Sequence, residues 1–306
     1  ERNVQKTYTY FGRLSALKYT NIRFFETQNG DSTQLNCYVM LTKSKHKSIS
    51  FELEGTNSAG DLGAAASVSF QHRNLFRGSE TFMVKFRGAY EAISGLQPGY
   101  KNHNYTEYGV ETSINFPNFL FPFLTSDFKR RIKATTEFGL QYNYQLRPEF
   151  SRTIASASWS YKWMQKQKIQ HRIDLLDISY LYLPWISSQF QEDYINKDKD
   201  NYILKYNYEN RLIVRMGYNY SYNSAGGALV NNTITTNSYS IRAGFESAGN
   251  ILYGISKMIN MRKNKDGEYA ILGIPYAQYL KGDFDFAKNI IIDHRNSLAF
   301  LSLIHI

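Results

Sequence analysis

The chain of 306 residues has one cysteine and no long apolar run. Because Cys37 has no possible partner within the chain, an internal disulfide and a thiolate zinc cluster are both excluded. We expect Cys37 to be a small, buried apolar side chain. A membrane-spanning helix needs about 18 consecutive apolar residues, and the best candidate, residues 116–124, is shorter and contains Pro117 and Pro122. Transmembrane helices are therefore excluded.

Catalytic motifs are missing as well. No P-loop, dinucleotide fingerprint or nucleophile elbow is present, since Thr56 stands where an elbow around Ser58 would need its first glycine. The histidines show no pair at helical metal-ligand spacing; they are His46, His72, His103, His171, His294 and His305. We expect no catalytic residue, no metal and no cofactor. A barrel enzyme with a sparse site stays open as an alternative.

The net charge of +10 and pI near 9.4 raise the question of nucleic acid. Phosphate contacts require clustered Lys and Arg, and two clusters exist: Lys129, Arg130, Arg131 and Lys133, and Arg262, Lys263 and Lys265. Both fall in predicted loops rather than on one helix or stripe. We therefore expect no nucleic-acid partner, and we assign these clusters to loop solubility or to contacts with lipid head-group phosphates.

Aromatic residues are abundant, with 25 Tyr and 20 Phe, although only 42% of the chain is hydrophobic and the mean hydropathy is −0.46. Residues 211–222 show how these facts combine, because apolar and aromatic residues alternate there with polar ones. A period of two is typical of a β-strand with two different faces. Strands of a membrane barrel have this composition, since one face meets lipid and the other a polar interior.

The same alternation recurs along most of the chain from about residue 48 and predicts about eleven strands. The predicted strands lie near residues 48–54, 66–71, 82–91, 107–115, 137–144, 155–163, 173–183, 211–222, 239–245, 273–286 and 297–306. The connections between them alternate roughly between short and long polar segments, as expected when one rim of a barrel faces a confined space.

Charged residues inside these strands share one parity, opposite to the aromatic parity. They are Lys85, Arg87, Glu91, Lys281, Asp283 and Asp285. In a soluble β-sandwich this parity would face solvent, and that alternative stays open. We favour a barrel lumen, because the strands are longer than the usual 5–6 residues and because aromatics gather toward strand ends, as in the girdles of membrane barrels.

The first 45 residues have a different pattern. Phe11, Leu14 and Leu17 recur at helical spacing and predict a helix over residues 10–17, and residues 21–26 and 34–42 then read as a hairpin. We predict two domains, a helix-plus-hairpin unit at 1–45 and a sheet at 46–306. No secretory leader opens the chain, so we expect this exported protein to be represented by a fragment.

Three segments resemble the Omp85 superfamily, the bacterial surface antigen group. They are SFELEGTNSAGDLG at 50–63, SFQHRNLFRGSE at 69–80 and YLKGDFDF at 279–286. The SAGDLG and NLFRG parts of the first two are most similar to the TamA-like members of Bacteroidetes. The resemblance implies an antiparallel transmembrane β-barrel of about 16 strands, of which this chain would hold about eleven. It also implies that residues 1–45 are the end of the last POTRA domain, in the periplasm of a bacterial cell.

The resemblance implies a protein that assembles other outer-membrane proteins. Its partners would be outer-membrane lipids, unfolded outer-membrane protein clients and periplasmic accessory subunits. In the family a weakly paired first strand opens sideways and templates client strands, which is reasonable because an unpaired edge offers N–H and C=O groups. Here that lateral seam strand would be Ser48, Ile49, Ser50, Phe51, Glu52 and Leu53. Gly55, Gly60 and Gly63 would let it bend or slip, unless they are ordinary turn glycines.

One family feature is missing. The R-G-aromatic tip of the inward loop should follow the strand near residue 297, and neither Arg77-Gly78 nor Arg87-Gly88 stands in that place. We therefore expect the last strands and the loop to lie outside this sequence, so that its sheet does not close. The remaining alternatives are a secretion pore for a partner protein and a passive porin-like or uptake channel.

Overall fold

The structure is a computed structural model that describes residues 2–29, 32–58, 61–94, 104–196, 208–225, 237–264, 267–293 and 296–305. The fold is all-β, as the alternation predicts. The helices in the described residues are α1 (Arg2–Phe11), α2 (Ser126–Ile132), α3 (Ser188–Phe190, continued by a π-helical turn at Gln191–Ile195) and α4 (Asn250–Met258). Among the described residues, no helix is long and apolar enough to cross a membrane.

The strands account for most of the described chain. They are β1 (Leu17–Asn29), β2 (Ser32–Lys43), β3 (Lys47–Ser58), β4 (Asp61–Arg73), β5 (Thr81–Ala92), β6 (Asn104–Phe116), β7 (Thr135–Leu146), β8 (Phe150–Gln165), β9 (Ile169–Ile186), β10 (Arg211–Asn223), β11 (Ser238–Ala248), β12 (Ala270–Ile271), β13 (Ile274–Pro275), β14 (Tyr279–Ile291) and β15 (Ser297–His305).

One antiparallel sheet of 11 strands dominates the fold, in the order β15-β14-β11-β10-β9-β8-β7-β6-β5-β4-β3. Each strand of this sheet corresponds to one predicted segment, so the predicted strand count is confirmed. The prediction for residues 273–286 is wrong in its first half, because β13 ends at Pro275 and β14 starts only at Tyr279. β3 and β15 are the two edges, so the sheet is open in the part of the chain that is described.

The two faces of this sheet differ in curvature and in chemistry. A cavity of about 530 Å³ lies on the charged face over β9, β10, β11, β14 and β15, and another, over β6 to β10, opens on the same side. Because cavities spanning five neighbouring strands require the sheet to curl around them, we call the charged side the concave face and the aromatic side the convex face.

The convex face is uncovered over most of its area. Phe51, Leu140 and Phe245 are 76%, 62% and 55% exposed, and the few buried apolar residues are mostly small or lie near strand ends. A β-sandwich buries its aromatic parity between two packed sheets, whereas here all 11 long strands past residue 46 form one sheet. The sandwich alternative is therefore wrong for the described residues.

The N-terminal module, α1 with the β1–β2 hairpin, forms a separate two-stranded sheet. The predicted hairpin is confirmed, but the predicted helix at 10–17 is wrong. The helix ends at Phe11, the Gly12 N–H donates to the Tyr8 carbonyl at 2.9 Å, and Leu17 already lies in β1. Cys37 is exposed, not buried as expected, because the two-stranded hairpin has no thick layer in which to bury it.

The connections do not alternate simply between short and long. The short turns at 147–149 and 166–168 lie at opposite ends of the sheet, and the connection at 117–134, which contains α2, lies at the same end as the N-terminal module. We call this end the module end. The long connection at 249–278, which contains α4, lies at the far end.

Candidate functional site: a free edge strand beside a charged concave face

The predicted seam residues lie in β3, which pairs only with β4 among the described strands. Ile49, Phe51 and Leu53 point to the convex face and are 62%, 76% and 87% exposed. Ser48, Ser50 and Glu52 point to the concave face, opposite Gln71, Ser69 and Ser67. Over Ser48–Leu53, one backbone edge of β3 therefore has N–H and C=O groups without a strand partner among the described residues, which is the arrangement needed for β-strand addition.

Two ion pairs reach from β5 across β4 to this edge strand. Lys85 lies 3.0 Å from Glu52, and Arg87 makes a bidentate pair with Glu54 whose shorter contact is 3.0 Å. These pairs pass over the small side chains of β4, and the Ser67 hydroxyl also donates to Glu52 at 2.9 Å. Edge strand β3 is thus held by its ladder with β4 and by a second, electrostatic attachment to β5.

Sequence reasoning placed Lys85 and Arg87 on the inner parity but missed both carboxylate partners. The partners could have been predicted from the alternation, because two acids on β3 and two bases on β5 share one face of the sheet. Only Ala and Ser lie between them on β4. Glu91 shares this face and lies opposite Tyr105 in the ladder with β6. It forms no ion pair with the other described residues.

Two of the predicted seam glycines lie inside strands. Gly55 lies inside β3 and has no atom within 4 Å of an added Cβ, whereas Gly63 lies inside β4. A Cβ on Gly63 would meet the Thr56 hydroxyl at 2.5 Å and the Tyr90 carbonyl at 2.8 Å. Neither residue is a turn glycine, and position 63 requires glycine because strand neighbours lie too close for a side chain. Gly60 is outside the described residues.

The opposite edge is formed by β15. Asp283 accepts a hydrogen bond from His305 at 2.6 Å and lies 3.1 Å from Lys281. Asp285 stands opposite Arg242 in register, yet no ion pair joins them, and Asp285 Oδ1 is buried without a hydrogen-bond partner. The three predicted residues of β14 therefore do lie together on the concave face, beside the larger cavity.

β15 departs from the predicted alternation. Its register with β14 places Leu301 opposite Ala287 and Leu303 opposite Asp285, so both leucines are on the concave face. They are 68% and 54% exposed. Phe300 and Ile304 cover the other side, so residues 300–304 of β15 carry large apolar side chains on both faces, unlike β3.

The middle of the concave face is a network of paired charges. Arg215 joins Asp177 at 2.7 Å and Glu246 at 3.6 Å, and Lys162 joins Glu137 at 2.6 Å. Ion pairs of this kind on a concave, partly exposed wall form a polar lining that can hold water or a polar chain. Among the described residues, no group of three His, Cys, Asp or Glu could hold a metal ion.

The NLFRGSE segment forms a tight turn between β4 and β5. Asn74, Arg77 and Ser79 have φ values of 75°, 67° and 69°, and the buried Glu80 carboxylate accepts from the Phe76 and Gly78 N–H groups at 3.1 Å each. This turn binds the N-terminal module, because Ser15 donates to the Ser79 carbonyl at 2.7 Å and the Ala16 N–H donates to the Ser79 hydroxyl at 2.9 Å.

The connection after β6 folds back over the convex face at the module end. Leu120 is its anchor: its N–H donates to Thr136 at 2.9 Å and its carbonyl accepts from the Tyr161 hydroxyl at 3.0 Å. The rings of Phe119 and Tyr161 lie 4.7 Å apart, edge to face. We call residues 117–124 the aromatic flap. Phe123, at its tip, is 87% exposed.

The basic cluster that follows the flap corrects a sequence prediction. Lys129, Arg130 and Arg131 form the last turn of α2, not a loop, although Arg262 and Lys263 do lie in a connection beyond α4. Residue 265 lies outside the described residues. The cluster therefore sits on a short helix beside the convex face.

Similarity to known proteins is found among solved structures. No protein-family model matches the chain, and no curated protein matches it. Among solved structures, the crystal structure of BamA from Haemophilus ducreyi lacking POTRA domains 1-3 matches with a TM-score of 0.49 and 13% sequence identity, over 98% of this chain and 49% of that one. The chain thus spans about half the length of the BamA chain.

Proposed function

We propose that this chain is part of the membrane barrel of an outer-membrane assembly factor of the Omp85 superfamily, most similar to the TamA-like members. The sheet would lie in the bacterial outer membrane, and the N-terminal module, as the end of a POTRA domain, in the periplasm. The protein would insert other outer-membrane proteins without catalysing a chemical reaction. Unfolded clients, lipids and periplasmic accessory subunits would be its partners.

The observation that carries the proposal is the free edge of β3 between an apolar face and a charged one. Side chains alternate along β3 so that Phe51 would meet lipid while Glu52 faces the interior. An incoming client strand needs the same alternation, so β3 offers both a hydrogen-bonding template and a matching pair of environments. The attachment of Glu52 and Glu54 to β5 would keep β3 in register while its outer edge is open.

A photo-crosslinking amino acid at Phe51 tests this proposal, with Phe86 as the matched control. Phe51 pairs with Val68, and Val68 pairs with Phe86, so both phenylalanines lie in one row of the convex face. They are separated by one strand, which puts them about 10 Å apart. The experiment uses the full-length protein in cells or in membrane vesicles that are importing radiolabelled outer-membrane proteins.

Client crosslinks from position 51 and few from position 86 are the expected result. Equal crosslinking from the two positions would mean that clients touch the whole convex face, and absence of crosslinks from both would remove the edge from the mechanism. A secretion pore predicts a third pattern. There, crosslinks would come from the concave face, for example from Gln141, which lines a cavity of about 130 Å³.

A further inference from the structure

A basic cavity lies at the module end, between the N-terminal module and α2. Its volume is about 400 Å³, and Tyr10 and Arg13 form one side while Lys129, Arg130 and Lys133 form the other. No acidic residue lines it. The one acid of α2, Asp127, lies outside the lining, so the cavity concentrates four positive charges.

These four cations differ from four paired cations of the concave face. Lys85, Arg87, Lys162 and Arg215 all have carboxylate partners, whereas in the described part of the chain Arg13, Lys129, Arg130 and Lys133 form no ion pair. Arg13 donates to the Lys133 carbonyl at 2.9 Å, and the Lys133 ammonium lies 4.1 Å from the centre of the Tyr10 ring. Like charges that line one cavity repel one another, and an anion bound between them relieves this repulsion.

Apolar surface adjoins this positive cluster. Phe119 and Pro117 of the aromatic flap line the same cavity. A second, mixed cavity of about 170 Å³ adjoins it, where Trp163 and Met164 lie beside polar residues such as Lys162 and Gln170. The flap lies on the convex face, and Trp is typical of the membrane interface. An anion bound here would therefore have a hydrocarbon-like surface directly beside it.

We infer that this cavity binds the phosphate headgroup of an anionic glycerophospholipid, with an acyl chain along the aromatic flap. The inference rests on the proposed function, since it needs the convex face to be in a bilayer. Lys and Arg fit the phosphate by charge and by N–H donation, and the flap fits the chain. A free phosphate ion would contact only the cations of this site and not the apolar flap. A bound lipid would join the N-terminal module to the barrel wall by bridging Arg13 and α2.

Native mass spectrometry of the full-length protein tests the inference. The protein is released from detergent micelles that contain phosphatidylglycerol or phosphatidylcholine. The test variant is Lys129→Gln with Arg130→Gln, which removes two cavity cations whose side chains make no hydrogen bond or ion pair with the described residues. The matched control is Arg131→Gln with Arg262→Gln, which removes the same net charge from outside the cavity. Each cation near a lipid surface contributes about 1 kcal/mol, so retention of phosphatidylglycerol should fall about 30-fold in the test variant.

Several results would overturn the inference. Equal loss in the test and control variants would show a diffuse charge effect, and unchanged retention in the test variant would show that the cavity is not the site. Displacement of the lipid by millimolar inorganic phosphate would show that only the anion is recognised. Incorporation of all variants into vesicles of phosphatidylcholine alone is the separate check on membrane embedding, because its failure would count against the proposed function itself.

Discussion

Removing one hydroxyl group should loosen the aromatic flap without disturbing the strand that carries it. Tyr161 is 3% exposed, and its hydroxyl donates to the Leu120 carbonyl at 3.0 Å. Tyr161→Phe deletes this bond and keeps the ring contact with Phe119. A neutral hydrogen bond of this kind contributes about 1 kcal/mol, so the equilibrium constant for local opening of the flap should rise about fivefold.

Hydrogen exchange at the Leu120 N–H reports this opening. That N–H donates to the Thr136 hydroxyl at 2.9 Å, a partner that the substitution leaves in place. When closing is faster than chemical exchange, the exchange rate is proportional to the opening constant, so the rate at Leu120 should also rise about fivefold. Tyr161→Leu, which also loses the edge-to-face ring contact, should raise it further, to about 30-fold, since such contacts contribute roughly another 1 kcal/mol.

Tyr142→Phe is the control for this experiment. Tyr142 lies on the same convex face in the neighbouring strand β7, it is 49% exposed, and its hydroxyl makes no hydrogen bond within the described chain. Exchange at Leu120 should be unchanged in this variant. The reasoning is refuted if Tyr161→Phe leaves the Leu120 rate at its original value, or if Tyr142→Phe raises it to the same extent.

Two further substitutions test other parts of the structure. Gly78→Ala would place a Cβ against Glu80 Oε1 and displace the carboxylate. The free energy of unfolding, measured with denaturant, should fall by about 2 kcal/mol because a charge-assisted hydrogen bond is lost. The control Gly55→Ala, which has open space at its Cβ, should leave the free energy of unfolding unchanged. Arg211→Met removes a buried cation that lies 3.0 Å from both Glu209 and Glu268. Hydrogen exchange near Glu268 should then rise, and an unchanged rate would show that this contact does not fix the 249–278 connection.

The strand pattern could be predicted because parity is a local property. Along β10, for example, the polarity of each residue from Leu212 to Tyr222 indicates which face of the sheet it occupies, and no knowledge of distant contacts is needed. The same reading failed at residues 10–17, where Leu14 and Leu17 continue the apolar spacing of α1 although the chain has already left the helix at Gly12. A glycine after the last helical residue is a common stop signal, and it outweighed the spacing.

Features that depend on distant residues were not predictable in this way. The pairing of Arg87 with Glu54 requires knowledge that β5, β4 and β3 are neighbours and that β4 presents only small side chains between them. The basic helix α2 is too short for periodicity to show, and the return of the aromatic flap over the convex face depends on Tyr161 and Thr136, which follow it in the sequence. Site residues were therefore placed on the correct face, while their partners were not identified.

The two edge strands of the described sheet suit different neighbouring strands. β3 has serines and carboxylates on its concave side and apolar residues on its convex side, whereas β15 has Leu301 and Leu303 on its concave side. A strand that pairs with β3 can follow ordinary barrel alternation, but a strand beside β15 lies next to apolar groups on both faces. Because side-chain pairing between neighbouring strands contributes to register, the two edges should select different partners.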